Sequence, residues 1–194
     1  MLIKNSFEVD QPVDEVWEFF DDVPAVAACL PGAELTDELG PDEYAGQVAI
    51  RMGPVKLEFD GTAKITERDD AEHRIVVDAA GADEKGRGQA AMLLTASLTP
   101  AAGGTTVAVD QDLQLSGAAA QYGRGMISDV TTVLMGDFAD NLAARLTARE
   151  QGLDADQATS ARPAGGFSLG FAALRLALAR VFRRFFMPYR PSPS

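Results

Sequence analysis

A series of alternating segments, closed by one long helical segment, is the feature that most restricts the fold of this 194-residue chain. Apolar residues recur at every second position, as they do in half-buried strands. The segments with this pattern are residues 2–9, 33–38, 44–52, 55–65, 75–79, 90–98 and 107–115. Two short helical segments, restarted by prolines, lie between the first strand and the rest. Strands joined by short turns predict an antiparallel sheet.

The segment 119–149 has a different period. Its apolar residues recur every three or four positions and lie on one helical face: Ile127, Val130, Leu134, Phe138, Leu142 and Leu146. We therefore expect an α+β fold, in which a curved antiparallel sheet wraps one long C-terminal helix. The predicted organisation is a domain over residues 1–149, a flexible linker over 150–166, a second helix over 167–187 and a disordered end over 188–194.

The predicted second helix, residues 167–187, contains no acidic residue. At 100° per residue, one face is apolar and the opposite half is basic. The apolar residues are Phe167, Phe171, Leu174, Leu178, Val181, Phe182 and Phe185, and the basic residues are Arg175 at the boundary, Arg180, Arg183 and Arg184. The longest uncharged stretch, residues 163–174, is too short to span a bilayer. The pattern predicts a helix that lies on an anionic membrane surface.

Charge is divided unevenly along the chain. Residues 1–156 hold 11 basic and 29 acidic residues, a net charge of −18, whereas residues 157–194 hold six arginines and no acid. An acidic domain would be repelled by phosphate, which argues against a nucleic-acid partner, and anionic lipid suits the basic tail better. A single cysteine, Cys29, cannot form an internal disulfide, so we expect a reducing compartment and a buried thiol.

Small residues occupy many of the positions predicted to face the long helix. They are Gly46, Ala63, Ala79, Ala90 and Ala96 on strands, and Gly123, Gly125 and Gly136 on the helix. Small facing residues leave unfilled volume, and methionine and leucine make it apolar and adaptable. The predicted lining is Tyr44, Ile50, Met52, Leu57, Phe59, Met92, Gln111, Leu113, Tyr122, Met126, Ile127 and Val130. The competing interpretation is a filled core in which the glycines ease packing and the methionines fill gaps.

Several short segments resemble one protein family. They are Asn5-Ser-Phe-Glu-Val, Pro12-Val-Asp-Glu-Val-Trp-Glu-Phe-Phe, Cys29-Leu-Pro-Gly-Ala-Glu, Gly53-Pro-Val-Lys-Leu-Glu-Phe-Asp-Gly and Tyr122-Gly-Arg-Gly-Met-Ile. Together they resemble the carbon monoxide dehydrogenase CoxG family, within the START-like (SRPBCC) helix-grip superfamily. The resemblance covers about residues 1–149, and the Leu-Pro-Gly-Ala-Glu segment is its most specific part.

The resemblance implies an accessory protein of an aerobic molybdenum carbon monoxide dehydrogenase, or of a related hydroxylase. The molybdenum, iron–sulfur and flavin centres would belong to other chains, since this sequence has no cysteine set for a cluster, no GxGxxG motif and no P-loop. We therefore expect no enzymatic activity, no metal and no covalent cofactor. The expected location is the cytoplasmic face of the cell membrane, as a peripheral protein.

A membrane tether beside a redox enzyme suggests the ligand. Electrons from such an enzyme enter the respiratory chain through a lipid-soluble quinone, so menaquinone or ubiquinone would suit an apolar cavity. Gln111 or Tyr122 could hydrogen-bond a quinone oxygen, although a hydrogen bond from Gln111 to the helix is an equal alternative.

Three other functions stay open on the sequence alone. The chain could be a membrane-recruitment adaptor without a ligand, an assembly or maturation factor, or an enzyme like some START-like cyclases and hydrolases. The candidate acids Glu8, Glu58 and Asp60 stand at outward strand positions, and the one histidine, His73, is predicted to be solvated in a polar turn.

Overall fold

The computed structural model describes residues 1–52 and 55–152. In chain order its elements are β1 (Leu2–Val9), α1 (Val13–Phe19), α2 (Val23–Ala27), β2 (Ala33–Gly40), β3 (Glu43–Met52), β4 (Val55–Asp69), β5 (Arg74–Asp83), β6 (Gly88–Ala101), β7 (Gly104–Gly117) and α3 (Arg124–Glu150). A short 3₁₀ turn, Ala118–Gln121, precedes α3. The predicted membrane helix, most of the predicted linker and the predicted disordered end lie outside the described residues.

The seven described strands form one antiparallel sheet in the order β1-β7-β6-β5-β4-β3-β2. Each strand from β2 to β7 pairs with its chain neighbour, while β1 pairs with the last strand, β7. The predicted antiparallel sheet with one long C-terminal helix is thereby confirmed. The strands β5, β6 and β7 are longer than predicted, because pairing continues into Gly- and Ala-rich segments beyond the alternating patterns.

The two short helices follow from local sequence signals. The carboxylate of Asp22 accepts a hydrogen bond from the Ala25 N–H at 3.0 Å and so caps α2, which has Pro24 in its first turn. Pro12 precedes α1, and Asp14 and Glu15 lie in its first turn, where they interact favourably with the helix dipole. These signals hold α1 and α2 between β1 and β2.

The long helix α3 begins five residues later than predicted. Residues 118–121 form the 3₁₀ turn, and Gly123 precedes the first helical residue. Glycine has low helix propensity, so the apolar period alone overestimates the helix at this end. The helix makes its closest backbone contacts with β1 and therefore lies over one side of the sheet. No helix within residues 1–52 and 55–152 is long and apolar enough to cross a membrane.

The larger part of the core lies where α1 and the C-terminal half of α3 meet the sheet. Its most buried side chains include Val16, Leu98, Val107 and Leu142, each at most 1 % exposed. Cys29 belongs to this cluster and is fully buried, as predicted.

Two adjacent leucines of β6 interrupt the alternating pattern, so the sequence does not assign them to a face. In the structure Leu94 packs against the larger core. Leu93 is 49 % exposed on the outer face of the sheet. The inward phase of β6 therefore runs through Leu94 and Ala96, in keeping with the two-residue period.

Polar side chains surround Trp17 at the edge of this core. The Arg68 guanidinium lies 4.2 Å above the ring centroid, and the Asp70 carboxylate accepts the indole N–H at 3.0 Å. His73 meets the ring edge-on at 5.4 Å and lies 3.6 Å from the Asp14 carboxylate. The prediction of a solvated His73 is therefore wrong, because a turn with positive φ at His73 places its ring against the indole.

Candidate functional site

The central strands present a floor of small side chains on the face that α3 covers. Two neighbouring rows of cross-strand partners create this floor. One row is Gly46, Gly61, Gly81 and Ala90, and the other is Tyr44, Ala63, Ala79 and Met92. Because three glycines and three alanines carry almost no side-chain volume, the helix cannot contact the sheet here.

A cavity of about 360 Å³ lies above the floor. Ile50, Leu57, Phe59 and Leu113 contribute side chains from the sheet, and Ile127, Val130 and Leu134 contribute theirs from α3. Leu30 and Leu35, from the α2–β2 region, complete the lining and are only half-buried, so solvent reaches this side. The volume lies within the range of small-molecule pockets, and the walls are almost entirely apolar.

Eight of the twelve predicted lining residues border the cavity. They are Tyr44, Ile50, Leu57, Phe59, Met92, Leu113, Ile127 and Val130. The structure thus brings together residues from four strands and one helix that are up to 86 positions apart in sequence, from Tyr44 to Val130. That these residues contact a ligand stays a prediction. The side chain of Met52 lies outside the described part of the chain.

Gln111 faces inward but does not line the cavity. It is 4 % exposed and pairs across the sheet with Ile3 and Leu94. Its amide nitrogen lies 3.7 Å from the sulfur of Met135 on α3. The prediction that Gln111 could hold a ligand oxygen is corrected for this reason: the helix is close to the sheet on the β1–β7 side, and a methionine occupies the space beside the amide.

Tyr122 and Met126 are also away from the cavity. Tyr122 lies before the helix and is half-buried against the smaller hydrophobic cluster around Leu57 and Ile127. Met126 is 46 % exposed. Since one residue of a helix turns the side chain by 100°, Ile127 faces the cavity and its neighbour Met126 faces away.

Four of the small residues predicted to open the cavity do not border it. Ala96 is 2 % exposed within the larger core, so it is a packed core residue. Gly123, Gly125 and Gly136 are exposed, and a Cβ added at any of them would meet nothing within 4 Å. These glycines therefore lie on the outside of α3.

Gly61 and Gly81 are the main residues that sequence reasoning missed. A Cβ on Gly61 would lie 2.1 Å from the Ala80 carbonyl oxygen, so the backbones of β4 and β5 approach too closely for a side chain. Both glycines occupy inward positions of their strands, which was a usable signal. Their alignment with Gly46 depends on strand register, which the sequence does not reveal.

Few ionisable groups approach the cavity. Burial, together with Glu38 and Asp42, raises the pKa of the Tyr44 phenol, so this hydroxyl stays protonated and can donate at neutral pH. Glu8 and Asp60 stand on the outward face, and Glu58, also outward, pairs with Lys56. Within residues 1–52 and 55–152, no group of three or more His, Cys, Asp or Glu side chains could hold a metal ion.

The curved sheet, the long helix and the cavity between them define a START-like helix-grip protein. Solved structures share this fold at low identity. A conserved protein from Geobacillus kaustophilus has a TM-score of 0.67 at 23% identity, covering 76% of this chain and 95% of that one. The Zhui aromatase/cyclase from Streptomyces sp. R1128 has a TM-score of 0.57 at 16% identity, covering 86% and 98%. A protein from Mycobacterium smegmatis has a TM-score of 0.52 at 20% identity, covering 76% and 92%.

The chain belongs to the carbon monoxide dehydrogenase CoxG family, whose model matches residues 6–147. This membership confirms the resemblance seen in the short sequence motifs. It suggests an accessory role beside a carbon monoxide dehydrogenase, and the fold suggests that the chain binds a ligand. No curated protein matches the sequence.

Proposed function

We propose that this protein is a membrane-tethered carrier that binds a respiratory quinone in its cavity and delivers it to a molybdenum carbon monoxide dehydrogenase. The observation that carries the proposal is the apolar cavity of about 360 Å³ above the small-residue floor. Its volume suits a quinone ring and the first part of an isoprenoid tail. Family membership supplies the partner, and the basic apolar tail predicted at 167–187 supplies the membrane.

The reaction served by such a carrier balances without a redox group on this chain. Carbon monoxide and water give carbon dioxide, two protons and two electrons, and a quinone takes up both protons and both electrons to become a quinol. In this proposal the dehydrogenase performs the oxidation. The role of this chain is to shield the apolar quinone from water between the bilayer and the enzyme, and it works as a carrier and not as an enzyme.

Lipid extraction tests the proposal directly. The protein is purified from its native host in mild conditions, extracted with organic solvent and analysed by mass spectrometry. We expect menaquinone or ubiquinone close to one per chain. In a second step, protein loaded with quinone is mixed with the purified dehydrogenase and carbon monoxide, and quinol formation is followed by absorbance. Absence of quinone in both the purified and the reloaded protein would contradict the carrier function.

A second candidate is a recruitment adaptor that docks the dehydrogenase at the membrane without carrying a ligand. The charge division favours it as a specific alternative, since −18 over residues 1–156 and six arginines beyond them suit two different partners. Such an adaptor would raise membrane-bound dehydrogenase without altering quinol formation by the soluble enzyme. Measuring both quantities with and without the protein separates the two functions.

A further inference from the structure

Two polar side chains on inward positions border the cavity within the described residues. One is Thr131 on α3, whose hydroxyl already donates to the Ile127 carbonyl at 2.9 Å. The other is Tyr44 on β3. Glu34, Gln47 and Thr62 also border the cavity, but they stand on outward, exposed strand positions. The cavity therefore offers one polar side chain, Tyr44, whose hydrogen-bonding group is not used within the helix.

Tyr44 stands at a boundary between two environments. One side of the residue borders the apolar cavity, and the other borders a polar cleft that contains Glu18, Asp21, Asp22 and Arg149. Among the described residues the Tyr44 hydroxyl takes part in no hydrogen bond. The raised pKa of the phenol keeps this hydroxyl protonated, so it is available as a donor.

The row to which Tyr44 belongs leaves room beside the ring. Its cross-strand partner is Ala63, and the next residue in the row is Ala79. Neither methyl group can reach far above the sheet. A flat molecule lying on this floor would therefore have one edge directed at the Tyr44 hydroxyl and its remaining surface against apolar walls.

We propose that Tyr44 selects the polar end of the ligand, by donating a hydrogen bond to an acceptor oxygen on a planar ring. The ligand class is an amphipathic molecule with a carbonyl-bearing ring and an apolar remainder. This assignment rests on the proposed carrier function and replaces Gln111 and Tyr122, which do not reach the cavity. It also orients the ligand, with its oxygen beside the polar cleft and its apolar part over the floor.

The test compares two probes of the same shape. The first is 2-methyl-1,4-naphthoquinone, which carries two carbonyl oxygens, and the second is 2-methylnaphthalene, which carries none. Dissociation constants are measured by equilibrium dialysis for the parent protein and for Tyr44→Phe. We expect Tyr44→Phe to weaken quinone binding roughly three- to tenfold, as loss of one hydrogen bond does, and to leave naphthalene binding unchanged.

The matched control is Tyr122→Phe, which makes the same chemical change away from the cavity. It should alter neither constant, and thermal unfolding of both variants checks that they are folded. Equal weakening of both probes by Tyr44→Phe, or no weakening of either, would overturn the assignment of Tyr44. Failure of the parent protein to bind either probe would instead overturn the carrier function, and the assignment with it.

Discussion

Ala63 and Ala79 lie directly opposite each other on β4 and β5, and both border the cavity. A third alanine, Ala96, stands further along the sheet on β6 and is enclosed by the core. All three occupy inward positions of the same sheet. They differ only in what lies above them, because α3 and α1 contact the sheet at Ala96 and leave it at Ala63 and Ala79.

This difference predicts the effect of added volume. Ala79→Leu should occupy existing space and leave the melting temperature close to that of the parent, while it displaces a bound quinone. Ala96→Leu is the matched control and should cost about 1–3 kcal/mol of unfolding free energy, because it overpacks a filled core. Thermal unfolding and quinone content are measured for both. Equal destabilisation by the two changes would mean that the cavity is closed in solution.

Cys29 is predicted to be unreactive in the folded protein. Burial, partly offset by the nearby Arg145 charge, raises the pKa of its thiol to about 11, and the reactive thiolate is then scarce at neutral pH. Incubation with iodoacetamide at neutral pH, followed by mass spectrometry, should show no adduct in native conditions and one adduct in concentrated guanidinium chloride. Rapid native alkylation would contradict the buried position of the thiol.

Asp83 is predicted to make the fold sensitive to acid. The Arg87 guanidinium, bonded to both carboxylate oxygens, and several backbone N–H groups hold the pKa of Asp83 well below its usual range. A lowered folded-state pKa means that the ionised carboxylate stabilises the fold. The contribution is complete above the ordinary carboxyl pKa of about 4 and is lost as the pH falls further.

The measurement is urea unfolding of the parent and of Asp83→Asn from neutral pH down to about pH 3, below the ordinary carboxyl pKa. The parent should be more stable at neutral pH, and the difference should narrow as the solution becomes acidic. Asp60→Asn, at an exposed position of β4, is the control and should show a small difference at every pH. A constant gap between parent and Asp83→Asn would show that the ion pair is not the source of acid sensitivity.

The Arg68–Trp17 contact is predicted to report on the docking of α1. Trp17 is the one tryptophan of the chain, so its emission isolates this site. Arg68→Ala removes the cation over the ring and the ion pair with Asp21 at 2.7 Å, and we expect red-shifted emission and a loss of about 0.5–1 kcal/mol in stability. Arg68→Lys should lose less, because it keeps the charge. Unchanged emission in Arg68→Ala would contradict the contact.

Membrane association is predicted to depend on residues 163–194. Deleting them should move the protein to the soluble fraction while its thermal unfolding is unchanged. Replacing Arg175, Arg180, Arg183 and Arg184 with Gln should weaken binding to anionic vesicles, by about 1 kcal/mol per charge, more than binding to neutral vesicles. Cosedimentation with both vesicle types measures this. Equal binding to both before and after the change would exclude an electrostatic contribution.

Much of the fold was predictable because strand and helix periods are local properties. The alternation placed Leu57, Phe59 and Leu113 inward and located the strands along the chain, and the motif around Cys29 indicated the family. Errors occurred where neighbouring effects decide. Low helix propensity near Gly123 moved the start of α3, and contact with Trp17 covered His73. Neither depends on the apolar pattern that the prediction used.

The sequence by itself determined which side chains face the inside of the sheet, since the two-residue period assigns each strand residue to a face. Tertiary structure alone decided which inward residues border empty space. Strand register aligned Gly46, Gly61 and Gly81 in one row, and the position of α3 near β1 closed the space beside Gln111 while leaving it open beside Tyr44. Cavity volume is a property of distances between elements, and those distances follow from the packing of all of them together.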